Sequence, residues 1–279
     1  MRAKANKNEI AEANIKLKKS LGQNFLTERN IVEKIVGCAN VDKDTNVIEI
    51  GPGIGALTEL LIEQSKFTTA VEIDQRLIPI LNESFGEKDN FELKNIDFLK
   101  TTSSEFETHG ASKTKVVANL PYYITTAIIT KILNEMDFVD EIYIMVQKEV
   151  AERICASPRS KQYGSLSVYC QLLCEVNYEF TVKRTVFMPP PNVDSAIISL
   201  KRSITDCDIV AIEKFVQNAF KQKRKTLVNN LNKAYGVAKP DLSAFLENQG
   251  FKQSVRAEEI SPEQYIKLQN AFTMEFLND

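Results

Sequence analysis

One stretch constrains this chain more than any other: Val47-Ile48-Glu49-Ile50-Gly51-Pro52-Gly53-Ile54-Gly55-Ala56-Leu57-Thr58. An apolar run of strand length stops at Gly51, and a helical pattern restarts near Ala56. A strand, a glycine loop and a helix start in that order let the backbone approach a ligand closely, because glycine has no side chain in the way. The free N–H groups at the helix start then face a polar ligand. A second apolar run ends at Val71-Glu72-Ile73-Asp74, about 21 residues after Gly51. A carboxylate there accepts hydrogen bonds from ribose hydroxyls. The pattern predicts a nucleoside-containing cofactor on a Rossmann-like sheet.

The flanking sequence extends the alternation. Strands are predicted over 45–50, 67–73, 91–95, 115–118 and 141–147, with helices over 57–64, 76–84 and 125–136 between them. Such alternation predicts an α/β, doubly wound parallel sheet. Ligands of these sheets bind outside the carboxyl ends of the strands. Gly51, Glu72, Asp97 and Asn119 all follow strand ends, so they are expected to form one site. Upstream, Gln23 and Asn24 sit beside Phe25 and Leu26, ahead of a helix over 28–38. They read as a lid over the ligand, or as a loop packed by its two apolar neighbours. Downstream come helices over 148–154 and 166–174 and strands over 178–182 and 196–200. The strands are joined through Phe187-Met188-Pro189-Pro190-Pro191, whose prolines stiffen the connection around Phe187.

After Arg202 the pattern changes. Residues 203–207 read as a linker, and every run from Ile209 onward has helical period: 209–220, 223–233, 242–249 and 262–276. Three parts are therefore expected: a flexible basic arm over 1–20, a Rossmann-like domain over 21–204 and a small helical domain over 205–279. The arm carries six basic and two acidic side chains. Net charge is −2, so any nucleic-acid surface must come from local patches. Lys221, Lys223, Arg224 and Lys225 form one such patch, read either as a solvated helix face or as a phosphate contact.

Several classes are excluded. No apolar run approaches the roughly 18–20 residues that cross a membrane, and the N-terminal stretch has no apolar signal core. The five cysteines lack C-x-x-C spacing and read as small apolar residues in a reducing compartment, with Cys170 and Cys174 on one face of a helix. The single histidine, His109, reads as a solvated loop residue, which argues against a histidine-dependent hydrolase or a metal enzyme. A cytoplasmic monomer without a metal is expected.

The glycine loop alone leaves the cofactor open. Gly51, Gly53 and Ala56 satisfy a loose dinucleotide pattern. Against hydride transfer stand Pro52, which stiffens the turn where pyrophosphate would lie, and the stretch Asn119-Leu120-Pro121-Tyr122, which has no task there. That stretch suits methylation of an exocyclic amine. An adenine amine is a poor nucleophile because its lone pair is delocalised into the ring. Two acceptors aimed at its protons favour a pyramidal, more nucleophilic nitrogen. The Asn119 side-chain oxygen and the Leu120 carbonyl are the expected acceptors, and Pro121 sets the carbonyl's direction. Tyr122 is expected to stack on the extruded base and Phe187 to cover its other face. One stacked aromatic returns about 1–3 kcal/mol against the few kcal/mol that extrusion costs.

These residues carry a resemblance. LGQNFL (21–26), EIGPGIGALT (49–58), VEID (71–74), NIDFLK (95–100), NLPYYITT (119–126), VQKEVAERI (146–154), YGSLSV (163–168), VFMPPPNVDSAI (186–197) and KRKTLVNNL (223–231) resemble the bacterial small-subunit (16S) ribosomal RNA adenine dimethyltransferases, the kasugamycin-sensitivity methyltransferase family. The resemblance spans about residues 17–272. It implies a methyltransferase domain with a seven-stranded mixed sheet, a helical C-terminal domain and S-adenosylmethionine as cofactor. Asn24, Leu26, Gly51, Gly53, Glu72, Asp97 and Asn119 match its cofactor contacts, with Glu72 on the ribose and Asp97 on the cofactor's adenine amine. Asn119, Leu120, Pro121, Tyr122 and Phe187 match its target-adenine pocket. The implied reaction methylates two adjacent adenines near the 3′ end of small-subunit RNA, twice each, and the run 221–225 would contact that RNA. Two alternatives share the same residues: an antibiotic-resistance enzyme acting on large-subunit RNA, and a subunit-assembly factor for which catalysis is secondary.

Overall fold

The computed structural model describes residues 24–203 and 208–277. The expected basic arm, Leu21 to Gln23 of the first motif, and most of the expected linker with Cys207 lie outside them. The chain groups into two compact units. One runs to Ala151 and resumes over Asn177–Arg202; the other comprises Glu152–Val176 and the residues from Ser203 onward.

In chain order the first unit begins with β1 (Phe25–Leu26), α1 (Arg29–Ala39), β2 (Thr45–Ile50), α2 (Thr58–Gln64), β3 (Phe67–Val71), α3 (Ile78–Phe85) and β4 (Phe91–Lys94). Then come β5 (Lys113–Asn119), α4 (Thr125–Glu135), β6 (Glu141–Gln147) and α5 (Lys148–Ile154). The chain continues with α6 (Ser165–Leu173), β7 (Cys174–Val182), β8 (Phe187–Met188) and β9 (Ser195–Arg202). The C-terminal helices are α7 (Ile209–Ala219), α8 (Leu227–Tyr235), α9 (Lys239–Asn248) and α10 (Pro262–Phe276).

Seven strands form one sheet in the order β4-β3-β2-β5-β6-β9-β7. Pairing is parallel from β4 through to β6, and β9 runs antiparallel to β6. The strands of the alternation are thus parallel, as expected, and the whole seven-stranded sheet is mixed, as the resemblance implies. After two helices and the strands β7 and β8, β9 returns beside β6 in the opposite sense. All six residues of β2 are buried, as a central strand of such a sheet requires. Val117, Tyr143, Met145 and Ile197 pack with Val32, Ile35 and Val36 of α1 and Leu60 and Leu61 of α2. The alternating residues Val116, Ala118, Ile142 and Ile144 are equally buried, so both faces of the sheet are covered.

The chain passes outward from β2 to β3 and β4, then returns to pair β5 on the other side of β2. The carboxyl ends of β2 and β5 thus flank the point where strand order reverses, the place at which open α/β sheets bind ligands.

A second, two-stranded sheet does not follow from any periodicity. β1 pairs antiparallel with β8, aligning Phe25 with Met188 and Leu26 with Phe187. Thr27 adds a backbone and a side-chain hydrogen bond to the Val186 carbonyl, both 2.9 Å. This pairing draws the start of the described chain across about 160 residues of sequence.

The other unit is built on aromatic packing. Phe215 meets Tyr265 and Phe272, and Phe245 meets Phe272 and Phe276, with ring centroids 5.4–6.4 Å apart. Tyr163 packs edge-on against Phe220 and donates to the Ile260 carbonyl at 2.9 Å. Tyr163 is one reason why 152–176 groups with the C-terminal helices, where the expected boundary placed everything before 205 in the first domain. Cys174 is not on the helix face shared with Cys170; it opens β7. His109 is half-buried, with its ring stacked 3.6 Å from that of Phe67, so it is not a solvated loop residue. Among the described residues no helix is long and apolar enough to cross a membrane.

Candidate functional site

A cavity opens at the carboxyl ends of β2, β3, β4 and β5. Its walls include Asn24, Leu26, Gly51, Gly53, Glu72, Asp97 and Asn119, together with Leu120, Pro121 and Tyr122. The structure therefore brings together every expected cofactor residue and the whole Asn119–Tyr122 stretch.

The glycine loop forms the floor. Gly51 has φ +70° and its N–H is tied to the Val71 carbonyl at 2.9 Å. That left-handed backbone is what glycine adopts at no cost. At Gly53, also left-handed, an added Cβ would lie 3.0 Å from the Phe25 ring. Phe25 thus lies directly on the loop, held there by the pairing of β1 with β8.

Glu72 is 5% exposed and ends the β3 segment. Its Oε2 accepts from the Gly53 N–H at 3.2 Å and its Oε1 from the Asp74 N–H at 2.8 Å. Each oxygen keeps acceptor capacity on the cavity side, which suits vicinal hydroxyls. Burial raises its proton affinity, and the two N–H donors oppose that rise. Asp74 is withdrawn from the site into an ion pair with Arg76. Asp97 caps a short turn by accepting from the Leu99 N–H at 3.1 Å.

Asn119 ends β5. Its Nδ2 donates to the Asn24 carbonyl at 3.2 Å. A carbonyl partner admits only the amide nitrogen, so Oδ1 is left as an acceptor on the cavity side, with no partner among the described residues. The Leu120 N–H is held by the Met145 carbonyl at 3.2 Å, while its side chain is 2% exposed. The Leu120 carbonyl accepts no hydrogen bond among the described residues. Pro121 is turned by contacts from Ile124 and Thr125 to its own carbonyl. Two unengaged acceptors on consecutive residues therefore share one rim. Tyr122 is half-buried and its hydroxyl meets Ser195 Oγ at 2.7 Å.

Phe187 is not among the residues of the cavity wall. It is 4% exposed and packs in the core with Leu26 and Val182. The β1–β8 register aligns it with Leu26, with which it shares a core cluster. Beside Tyr122, the other aromatics on the cavity wall are Phe25 and Phe98, both buried, and Tyr123, which is 58% exposed.

Two wall residues escape the sequence reading. Glu49 is 1% exposed and accepts from Thr58 Oγ1 at 2.6 Å. Its signal was available, since an acid inside a buried apolar run is rare without a purpose. Tyr123 was hidden by its neighbour Tyr122, because spacing alone does not say which of two adjacent tyrosines faces a cavity.

The basic residues belong to the other unit. Lys221, Lys223, Arg224 and Lys225 are exposed, but they occupy the turn between α7 and α8 and not a helix face. The helix expected from Lys223 starts at Leu227, capped by Thr226. Buried Asn230 shapes the turn: its Nδ2 donates to the carbonyls of Ala219 and Gln222, and its Oδ1 accepts from the Gln222 N–H. Lys223 Nζ donates to the Lys161 carbonyl at 2.8 Å, which sets a second basic loop alongside.

Comparison with known proteins fits this geometry. The model of the family described as ribosomal RNA adenine dimethylase matches residues 14–274. A ribosomal RNA small subunit methyltransferase A of Lactococcus lactis is 45% identical over 264 residues, covering 91% of this chain and 89% of its own. Among solved structures, a dimethyladenosine transferase of Plasmodium falciparum superposes with a TM-score of 0.76 at 26% identity, covering 90% of this chain and 98% of its own. The 23S rRNA methyltransferase ErmE superposes with a TM-score of 0.67 at 28% identity, covering 89% and 99%. With a family match over nearly the whole chain and the strand-end cavity in place, the chain belongs to the ribosomal RNA adenine dimethylase family.

Proposed function

We propose that the protein transfers methyl groups from S-adenosylmethionine to the N6 amines of two adjacent adenines near the 3′ end of small-subunit ribosomal RNA, giving N6,N6-dimethyladenosine. The observation that carries this is the rim of two unengaged acceptors, Asn119 Oδ1 and the Leu120 carbonyl, beside a cavity with two ordered carboxylates. The 45% identity to a small-subunit enzyme favours that subunit over the large one.

The cavity residues fit the cofactor. Glu72 would hold the ribose hydroxyls through its cavity-side lone pairs, and Asp97 the adenine amine. Gly51 and Gly53 keep the floor free of side chains, and Asn24 and Leu26 close one wall. The cofactor supplies an electrophilic methyl on a sulfonium. Asn119 Oδ1 and the Leu120 carbonyl would accept hydrogen bonds from the N–H groups of the target amine and orient its lone pair. Tyr122 stacks on the extruded base, with its hydroxyl fixed by Ser195. A second aromatic face is assigned to Tyr123 in place of Phe187. The transfer would need no covalent enzyme intermediate, and the pocket would readmit the singly methylated base for the second transfer. Lys221, Lys223, Arg224 and Lys225 would meet RNA phosphate. A monomer working in the cytoplasm suffices.

The test uses the purified chain, labelled S-adenosylmethionine and small subunits from a strain lacking this modification, with large subunits in parallel and RNA digested to nucleosides. Dimethyladenosine in small-subunit RNA alone is expected. Label in large-subunit RNA would transfer the chain to the resistance branch. Label in neither, with cofactor bound, would favour an assembly role.

A further inference from the structure

The loop between β7 and β9 starts at Lys183 and is closed by Asp194, the one acid of residues 183–194. Asp194 Oδ1 accepts from the Arg184 N–H at 3.0 Å, and Oδ2 from Lys183 Nζ at 3.1 Å. The Asp194 carbonyl accepts from the Lys148 N–H at 3.0 Å, and the Lys148 ammonium is near enough to act on the same carboxylate. The next residue, Ser195, meets the Tyr122 hydroxyl. Strand pairing aligns Asn119 with Met145, and Gln147 with Ser195. Lys148 and Asp194 thus lie at the same carboxyl edge of the sheet as the cavity, a few residues beyond Asn119.

Arg184 is exposed, yet its backbone is held on both sides. Asp194 takes its N–H, and its carbonyl accepts from the Phe187 N–H where β8 begins. Its Nη1 donates to the Asn192 carbonyl at 3.3 Å, next to the stiff run Pro189–Pro191. That one bond sets the plane of the guanidinium and leaves its remaining N–H groups without a partner among the described residues. The local charge is positive: Lys148, Lys183 and Arg184 stand against Asp194 and Glu149. The cavity wall carries Glu72 and Asp97, charges of the phosphate's own sign. An RNA strand that delivers a base there needs cations outside the wall.

We propose that Arg184 holds the RNA phosphodiester that flanks the extruded adenine, as a positioning residue for methyl transfer. The inference rests on RNA adenine being the substrate. The guanidinium fork donates to the two non-bridging oxygens, a planar match that an ammonium does not offer. Lys148 and Lys183 add charge alongside. Asp194 orients Arg184 and its neighbour Ser195 orients Tyr122, so adjacent residues set the register of phosphate and base. The contact is separate from the turn over 221–225, which belongs to the other unit.

The test uses small subunits reconstituted with RNA whose 3′ segment carries one neutral methylphosphonate linkage, moved in turn across the two target adenines. The parent is expected to lose about tenfold in kcat/KM at one linkage beside a target adenine and little at the others. Arg184→Ala is expected to lose about as much on all-phosphate subunits, and nothing more when that linkage is neutral, because the contact is already gone. Arg184→Lys, which keeps the charge without the fork, should recover part of the loss. Cofactor affinity without RNA should match the parent in both variants, since the side chain is off the cavity wall. Parental rates for Arg184→Ala, or a neutral linkage that costs the variant as much as the parent, would overturn the proposal. Should the variants not fold, the scan on the parent decides: a loss confined to one linkage supports the contact, and equal rates at every linkage overturn it. No dimethyladenosine from the parent on all-phosphate subunits would overturn the substrate reading and this contact with it, whereas normal parental turnover with an indifferent Arg184→Ala overturns the contact alone.

Discussion

Asn119 reaches the backbone of Asn24, donating from Nδ2 to its carbonyl at 3.2 Å. The contact ties the end of β5 to the residue before β1 and fixes the amide so that its oxygen stays an acceptor. One hydrogen bond thus joins two parts of the cavity wall, one proposed to meet the cofactor and the other the target amine. Asn119→Ala removes both functions at once. A lost donor or acceptor in a catalytic rim costs on the order of 10²–10³ in kcat. We expect at least a hundredfold loss of methyl transfer, with the far-ultraviolet circular dichroism of the parent retained. Turnover near the parental rate would remove Asn119 from its assigned role.

Ser195 is wholly buried and meets the Tyr122 hydroxyl at 2.7 Å. It does not line the cavity, and its proposed part is to hold the tyrosine ring in place. Ser195→Ala should let the ring swing, weakening RNA-dependent steps while cofactor binding is unchanged. Tyr122→Phe, which loses the same tether, should match it. A fluorescent adenine analogue at the target position gives the readout, because stacking quenches it. Quenching equal to that of the parent in both variants would show that the tether does not position the ring.

Phe187 is 4% exposed in the core beside Leu26. Truncating such a residue costs about 3–5 kcal/mol. Phe187→Ala should therefore lower stability, and its activity loss should follow from loosening of β1 against β8. Phe187→Leu fills most of the volume and should recover most of both. If Phe187→Leu were stable yet inactive on RNA, an aromatic ring at that position would be needed for chemistry after all.

The strands and the glycine loop were legible because buried β-runs and glycine breaks are local signals, and Gly51, Glu72, Asp97 and Asn119 lie at the strand ends where periodicity puts them. The β1–β8 pairing was not legible. Each strand has two residues, too few for any period, and they are separated by about 160 positions. The burial of Phe187 beside Leu26 was not legible for the same reason, since it follows from that pairing. The late start of α8 was legible in principle: Thr226 is an N-cap, and the helical period of Lys223 to Lys233 obscured it. The grouping of 152–176 with the C-terminal helices depends on contacts of Tyr163 that chain order does not encode.

Glu49 also makes a prediction about the free protein. Its carboxyl titrates near 4.5 in an unfolded chain and near 8 in the fold. Between those values the unfolded chain binds fewer protons, so stability falls as pH rises and levels off above 8. A shift of that size corresponds to on the order of 4 kcal/mol across the window. Glu49→Gln should unfold at the same urea concentration as the parent near pH 5 and at a clearly higher one at pH 8. A difference that does not grow with pH would mean that Glu49 is ionised in the fold.

The basic turn over Lys221–Lys225 is exposed yet held in shape by Asn230, a combination that favours a surface kept for a partner over a mobile solvated loop. Each phosphate contact contributes about 0.7–0.9 to the slope of log affinity against log salt. Reversing Lys223 and Arg224 to glutamate should weaken RNA binding and reduce that slope by about 1.5. Cofactor affinity, measured without RNA, should not change. Asn230→Ala should lower RNA affinity less, by disordering the turn without removing its charge. Lys223 also braces the Lys161 loop through its carbonyl, so Lys223→Gln alone separates charge from bracing, because glutamine can still donate there. A salt slope unchanged by the double reversal would show that this turn does not meet phosphate, and the RNA path would have to run over another face.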